Sequence, residues 1–359
     1  MKEFSCSTKI FWGAGAISAL AGFGAKRLML VADPFFVKNG VAQKVAAAAK
    51  AEAVEIFSGI EPDPTVTLAA EATARVKAFD PDLLVALGGG SAMDCAKAMA
   101  YFSGCAQLVA IPTTSGSGSE VTDFAILTHQ GVKHPLVDSR LRPTAAILDD
   151  DLLTQLPPQL VASCGFDVLT HALEAYVAAD ATPITDALAQ DAFCRVFSLL
   201  EDSFAGDVSV RPQIHIAATA AGLAFTHAGL GICHSLAHSL GGAFHLPHGR
   251  LNAILLPAVI RANEPAAGDK YAQLARVAGL GGNSKLLAVR GLITGLTRLR
   301  SALGLPATLT QAGIPAREVD KAAEQLTAAA LADPCNATNP MPPTAEMLRR
   351  ILREVTGRD

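Results

Sequence analysis

The 359-residue chain is poor in charge and in aromatic side chains: Asp, Glu, Lys and Arg make up 17% of it and Phe, Trp and Tyr 5%, with a single Trp. It has no run of Lys or Arg and no basic stripe interleaved with aromatics, and its formal net charge is -4, so the electrostatic footprint of a nucleic-acid binder is missing. No Cys-x-x-Cys pair occurs. The seven cysteines (Cys6, Cys95, Cys105, Cys164, Cys194, Cys233, Cys335) are scattered and odd in number, which fits reduced thiols in the cytoplasm better than a disulfide framework. The N-terminal MKEFSCSTKIFWG carries charges at positions 2 and 3 and lacks the long apolar block of a signal peptide.

The most unusual absence lies between Pro212 and Gly249, where there is no Asp, Glu, Lys or Arg. A membrane span has to be considered there. However, His215, His227, His234, His238, His245 and His248 punctuate the stretch, as do Thr219, Thr226, Ser235 and Ser239, and hydrocarbon satisfies such groups only at high cost. Helices buried at the centre of a protein domain are therefore expected, not a span.

A chain this long exceeds one compact core, and the patterning divides it into two. Short apolar runs alternate with Ala-rich helical stretches in the first half: strands at Lys26–Ala32, Ala53–Phe57, Asp82–Leu87 and Leu108–Ile111, helices at Val41–Ala51, Val66–Phe79 and Met93–Tyr101. Such alternation predicts an α/β domain with a parallel, Rossmann-like sheet covered on both faces. After Leu156-Pro157-Pro158 the pattern becomes helical throughout, with helices expected at Val161–Ala178, Ile184–Leu200, Gln213–His227 and Ile232–Leu240, and a last one at Thr344–Val355 after the irregular DPCNATNPMPP. The expected organisation is residues 1–156 as a dinucleotide-binding α/β domain and 157–359 as an all-α metal and substrate domain.

Two glycine clusters compete for a dinucleotide pyrophosphate. Gly13-Ala-Gly15-Ala-Ile-Ser18 imitates G-x-G-x-x-G but has Ser18 for the third glycine, and only about eight residues separate it from the next strand, too few for a parallel crossover. The better seat is Gly88-Gly89-Gly90-Ser91-Ala-Met-Asp94, after one strand and opening a helix, where small residues and free N–H groups receive an anion. Thr113-Thr114-Ser-Gly-Ser117-Gly-Ser119 adds hydroxyls at what would be a neighbouring strand end. Asp33 closes the strand KRLMLVA, where a carboxylate can accept from the adenosine ribose and repel a 2′-phosphate, which favours NAD(H) over NADP(H).

The segment GICHSLAHSLGGAFHLPHG (231–249) places four of the nine histidines within fifteen positions. His234 and His238 stand four apart, on one face of a helix, and Asp167 and His171 repeat that spacing in GFDVLTHALEAY. HSLAH lacks the glutamate of HExxH, so a zinc protease is not implied. Gly241-Gly242 is expected to end the helix and a loop to deliver His245 and His248. Six side chains, Asp167, His171, His234, His238, His245 and His248, are thus candidate ligands for a site that needs about four, and imidazoles with one carboxylate suit zinc or ferrous iron. Glu174 reads as a salt-bridge or capping group and Cys233 as packing.

GGGSAMDCAK (88–97), IPTTSGSGSEVT (111–122), GFDVLTHALEAY (165–176) and GICHSLAHSLGGAFHLPHGRLNAILLP (231–257) together resemble the iron-containing, group III alcohol dehydrogenases. KHPLVDSRLRPTAAILD (133–149) and DPCNATNP (333–340) are similar to the propanol and ethanol dehydrogenases of propanediol and ethanolamine utilisation. The resemblance implies Asp167, His171, His234 and His248 as metal ligands, Fe2+ or alternatively Zn2+. It implies His238 as a non-coordinating residue facing nicotinamide and substrate, passing a proton or orienting a neighbour, and leaves His245 without a duty. It places NAD(H) on Asp33, Gly89, Gly90, Ser91, Asp94, Thr113, Thr114, Ser117 and Lys133, with the reaction in a cleft between the domains. It further implies a short-chain alcohol or aldehyde substrate, a homodimer or larger homo-oligomer, and a place in the cytoplasm or within a bacterial microcompartment among its components. One departure is the short excursion Ala98 to Ala110 between the glycine-turn helix and the IPTT strand. Glycerol-phosphate dehydrogenases and dehydroquinate synthases share the fold, but they need cations at the substrate, which 212–249 lacks, while Phe225, Leu236 and Phe244 offer apolar walls. A non-redox metal-dependent hydrolase is the alternative from another class.

Overall fold

The computed structural model describes residues 3–105, 107–129 and 132–357, so Lys2, one of the two N-terminal charges noted above, lies outside it. Contacts divide the chain into two units, Met1–Leu156 and Pro157–Asp359.

The first unit carries strands β1 (Lys9–Gly13), β2 (Arg27–Ala32), β3 (Ala53–Phe57), β4 (Leu83–Gly88), β5 (Leu108–Pro112), β6 (Phe124–His129), β7 (Val132–Val137) and β8 (Ala145–Asp149), and helices α1 (Pro34–Lys38), α2 (Val41–Ala48), α3 (Val66–Phe79) and α4 (Gly90–Ser103). Six strands form one parallel sheet in the order β1-β8-β5-β4-β2-β3, as the α/β alternation predicts. Successive side chains of β2 go to opposite faces: Leu28 and Leu30 join a core with α2, Met29 and Val31 one with α3 and α4. β4, β5 and β8 are buried at every residue, and the first two accordingly read as unbroken apolar runs.

β6 and β7 form a separate antiparallel pair. Neither they nor β1 and β8 stand out in the sequence: β1 is exposed at three of its five residues, β7 contains Pro135, and β8 ends in Asp149. β1 lies at the sheet edge beside β8, away from β2, and Gly15 at φ 69 opens a 3-10 turn over Ala16–Phe23. The first glycine cluster therefore starts a short helix at the sheet's margin. β2 lies between β3 and β4, so the chain order reverses direction at the β2/β4 boundary, the place where open α/β sheets bind ligands.

The second unit consists of α5 (Pro158–Val177), α6 (Pro183–Ala205), α7 (Arg211–Ala228), α8 (Ile232–Phe244), α9 (His248–Val277), α10 (Lys285–Ala302), α11 (Ala316–Ala332) and α12 (Ala345–Thr356), and its described residues contain no strand. Pro158 occupies the first turn of α5, where its missing N–H costs nothing. Thr182, Ser284 and Thr344 cap α6, α10 and α12 through their hydroxyls. α5 packs on α6, α7 and α9 and is buried almost all round from Gly165 onward.

Two expectations are corrected here. Gly241 and Gly242 do not end α8; glycine weakens a helix without stopping it, and Gly241 packs against Leu251. The stop is His245 at φ 55, whose N–H bonds to Gly241 O at 2.9 Å. His248, in turn, is the first residue of α9 and not part of a loop. No single described helix is long and apolar enough to cross a membrane; Val208–Ala228 and Ile232–Phe244 meet that test only as a pair bent by 104°.

Candidate active site

Asp167 lies on α5, and His171 follows one turn later on the same face. His234 comes from the first turn of α8 and His248 from the start of α9. The Nε2 atoms of His171, His234 and His248 stand 3.9, 3.9 and 3.5 Å from Asp167 Oδ1. Those separations are too long for hydrogen bonds. Donors about 2.0–2.2 Å from a tetrahedral centre stand roughly 3.3–3.6 Å apart; the His248 distance falls in that range, the other two are somewhat wider, and Asp167, His234 and His248 have ligand atoms all within 4.8 Å of one another, with His171 at their margin. His234 Nε2 is buried and has no hydrogen-bond partner among the described residues, the state of an atom reserved for a metal. Burial, the largest cause in each case, pushes His234 and His248 well below the usual imidazole range, which keeps them neutral with a lone pair to donate. The donor set thus fits a divalent ion.

Around these four stands a shell that holds them. Glu174, seven residues after Asp167 and on the same helix face, accepts from His234 Nδ1 at 2.6 Å and from the backbone N–H groups of Gly231 and Cys233 at 3.1 and 2.7 Å. It therefore caps α8 and places the His234 proton on Nδ1, leaving Nε2 free for a metal. Burial raises its carboxyl to about 7, against the backbone N–H groups of Cys233, Gly231 and His234, which favour the ionised form. Asn252, one turn beyond His248 on α9 and fully buried, donates from Nδ2 to Asp167 Oδ1 at 2.7 Å. Sequence reasoning missed Asn252, although the His248/Asn252 spacing was the available signal. Gly249 lets α9 and α5 approach: a Cβ there would stand 1.9 Å from Ser163 O. Phe225 stacks on His171 with ring centroids 4.5 Å apart.

His238 shares a ligand neighbourhood but has a different partner. Its ring stacks on His248 at 5.1 Å, and its Nδ1 bonds to Asp333 Oδ2 at 2.8 Å. Burial opposes ionisation of Asp333, but the hydrogen bonds from His238 and the Cys335 backbone prevail and hold it down at about 2. An ionised carboxylate on Nδ1 leaves Nε2 as the atom able to take or give a proton. The segment that supplies Asp333 is an ordered clamp instead of an irregular loop. Asn336 Oδ1 accepts from Ser235, Asn339 Oδ1 accepts from Ile232 N, and Thr338 donates to Leu230 O. No pattern near residue 238 signals this contact across 95 positions.

The other candidates fall outside the cluster. His245 is exposed at the end of α8, and Cys233 is buried with its thiol toward Asn252. Leu236 is fully buried and lines no open wall, and Phe244 lies half-buried near the helix end. Of the three apolar residues expected around a substrate, Phe225 is the one whose ring stacks on a ligand candidate among the described residues.

In the first unit, the dinucleotide candidates gather at the β2/β4 boundary. Asp33 N bonds to Leu87 O and Thr113 N to Gly88 O, each at 3.0 Å, so both extend the sheet ladder past the strand ends. Gly88, at φ 154, would put a Cβ 2.6 Å from Ala92 Cβ and 3.3 Å from Asp33 Cβ. A Cβ at Gly89 would stand 3.2 Å from Thr114 Oγ1 and one at Gly90 3.4 Å from Ser117 Cβ. The bare backbone of the glycine turn, continuing through Ser91 into α4, therefore faces the hydroxyl loop, a cradle suited to a pyrophosphate. Asp33 Oδ1 accepts from Phe35 N at 2.9 Å and so also caps α1.

Asp94 serves the cradle from behind, accepting from Ser119 Oγ at 2.9 Å and Ile126 N at 3.1 Å. Its neighbour Lys97, 1% exposed and overlooked in the sequence, donates to Thr122 Oγ1 at 2.7 Å and Phe124 O at 2.8 Å. Burial drives Lys97 down to about 8 despite Asp94, Glu120 and Asp123. Lys133 pairs with Asp63 at 2.7 Å.

Residues 7–150 match the iron-containing alcohol dehydrogenase family and residues 161–356 the C-terminal part of the Fe-containing alcohol dehydrogenase family. The chain belongs to the iron-containing alcohol dehydrogenase family. Among its relatives, a 1-propanol dehydrogenase of Salmonella typhimurium is 40% identical over 369 residues, covering 99% of this chain and all of the relative. An NADPH-dependent butanol dehydrogenase of Clostridium saccharobutylicum is 36% identical, covering 98% of this chain and 97% of the relative. The crystal structure of sulfoacetaldehyde reductase from Bifidobacterium kashiwanohense in complex with NAD+ superposes with a TM-score of 0.89 at 27% identity, covering both chains completely. Membership makes this chain an alcohol dehydrogenase by family, and the α/β fold followed by helices is the family's own.

Proposed function

We propose that the chain is a metal-dependent, NAD(H)-linked dehydrogenase interconverting short primary alcohols and aldehydes, with 1-propanol and propanal or ethanol and acetaldehyde as substrates. The observation that carries this reading is the convergence of three imidazole Nε2 atoms on Asp167 Oδ1. Asp167, His171, His234 and His248 would hold a divalent ion, Fe2+ with Zn2+ as the alternative, through three nitrogens and one oxygen without thiolate. Such an ion supplies Lewis acidity to a substrate oxygen, and the nicotinamide supplies or accepts hydride.

The protein's own side chains do the remaining work. Glu174 and Asn252 orient His234 and Asp167. His238, held through Nδ1 by Asp333, takes or gives the hydroxyl proton at Nε2. Gly89, Gly90, Ser91, Thr113, Thr114 and Ser117 receive the pyrophosphate, with Asp94, which braces the loop through Ser119, and Lys133 as further cofactor residues, and Asp33 accepts from the ribose and repels a 2′-phosphate. The uncharged 212–249 segment favours a neutral, small substrate over a phosphorylated one. The names of the propanol- and butanol-dehydrogenating relatives support a short chain. The likeness of residues 133–149 and 333–340 to the propanediol and ethanolamine enzymes supports a homo-oligomer that works in the cytoplasm or with microcompartment components.

The test is NADH oxidation across short aldehydes by metal-free protein reloaded with ferrous iron or zinc. Turnover with propanal or acetaldehyde that a chelator abolishes is expected. Failure with every short aldehyde under both metals, or activity indifferent to chelation, overturns the reading.

A further inference from the structure

A cavity of about 590 Å³ opens at α9, the end of α10 and the turn that follows, within the second unit. Its lining includes Arg250, Arg300 and Gln311 and no Asp or Glu. Arg300 is 8% exposed, and its one hydrogen bond among the described residues is a 3.3 Å contact to Ala253 O. The comparably buried Arg142 is instead matched to Asp123 at 2.8 Å, and Arg75, Arg140, Arg195, Arg261 and Arg349 each have a carboxylate as well. Neither Arg250 nor Arg300 has a carboxylate within 4.0 Å among the described residues.

A guanidinium withdrawn from water without a counter-charge is costly, and it cannot escape the cost by losing its proton. Burial and then the charge of Arg261 lower Arg300 from its ordinary value, and no acid counters them. Gln311 Oε1 is already engaged by Ala307 N at 2.8 Å, so what its amide has left to offer is the NH2 donor. The α10 C-terminus would normally repel an anion, but the carbonyls of Leu299, Arg300 and Ser301 are covered by the N–H groups of Leu303, Leu305 and Gly304. Three of the last four α10 carbonyls are thus engaged, while the guanidinium and amide donors remain.

We propose that Arg250, Arg300 and Gln311 form a binding site for a small organic anion bearing a phosphate or carboxylate group. Two guanidinium forks suit bidentate recognition of such oxyanions, and the volume lies in the range of metabolite sites, larger than a lone ion needs. None of these three residues is among the metal-ligand or dinucleotide candidates.

The test uses the metal-loaded enzyme with saturating NAD+, so that the pyrophosphate cradle is filled. Phenyl phosphate and succinate are titrated separately by calorimetry and thermal shift, with neutral succinamide as control. Saturable binding of at least one anion and none of succinamide is expected, and which anion binds tells phosphate from carboxylate. Arg250→Gln and Arg300→Met should each weaken it by about tenfold or more, the loss expected for a charged hydrogen bond. Arg300→Met should also melt no lower than wild type without anion, since it removes an unpaired buried charge. No binding of either anion, binding unchanged in both variants, or an Arg300→Met protein that melts lower yet keeps its anion response overturns the proposal.

Discussion

Replacing Glu174 by glutamine changes one atom of a buried side chain and leaves its volume intact. Both carboxylate oxygens face donors: Oε1 faces Cys233 N, and Oε2 faces Gly231 N and His234 Nδ1. A glutamine must turn its NH2 toward one of these. On the Cys233 side it leaves a cap N–H of α8 buried without an acceptor, costing about 1–3 kcal/mol of stability. On the other side it can donate to His234 Nδ1, which moves the ring proton to Nε2 and removes the lone pair directed at Asp167. Loss of such an orienting partner weakens metal affinity by about 10–100-fold, or about 1.4–2.7 kcal/mol. Competition for ferrous iron or zinc against a chelator of known affinity measures this directly, with a melting curve of the metal-free protein as companion. Unchanged affinity in a Glu174→Gln protein that melts like wild type would refute the reasoning, because it would make the 2.6 Å contact incidental to the site.

Other substitutions separate the remaining roles. His238→Ala should lower turnover by about 10²–10⁴-fold, the usual contribution of a positioned proton carrier, while metal content by elemental analysis stays near wild type; loss of the metal would make His238 a ligand after all. Asp33→Ser removes a carboxylate whose repulsion of a 2′-phosphate costs several kcal/mol, so the NADP(H)-to-NAD(H) ratio of kcat/KM should rise at least about tenfold, and an unmoved ratio would limit Asp33 to capping α1. Lys97 has its folded-state pKa lowered to about 8, so between pH 8 and the ordinary lysine value near 10.5 the unfolded chain binds more protons. Wild type should therefore gain stability relative to Lys97→Met as pH rises through that window, read from denaturant midpoints, and a gap independent of pH would contradict the assigned burial cost.

How far the sequence could be read depended on whether partners lay on one element. Asp167, His171 and Glu174 share a face of α5, so their meeting was open to simple spacing, although spacing alone did not assign Glu174 to His234. The same rule misled at His234 and His238, where i,i+4 geometry suggested a ligand pair but only His234 Nε2 turns toward Asp167. Choosing four ligands from six candidates required the family resemblance, because helix periodicity says nothing about which ring a distant carboxylate will claim. Strands buried on both faces, such as β4, announced themselves as apolar runs, whereas the exposed edge strand β1 and the proline-containing β7 did not. Contacts such as Asn252 to Asp167 and Asp333 to His238 close over 85 and 95 residues and leave no local trace.

The separation of Asp333 from His238 also orders events during synthesis. All four ligand candidates have left the ribosome by the time residue 248 has, but the carboxylate that fixes the His238 tautomer is 95 residues behind its histidine. At about 5–20 residues per second that is a delay of roughly 5–20 s. The order of synthesis therefore lets the ligand residues assemble before the proton-handling imidazole has its partner.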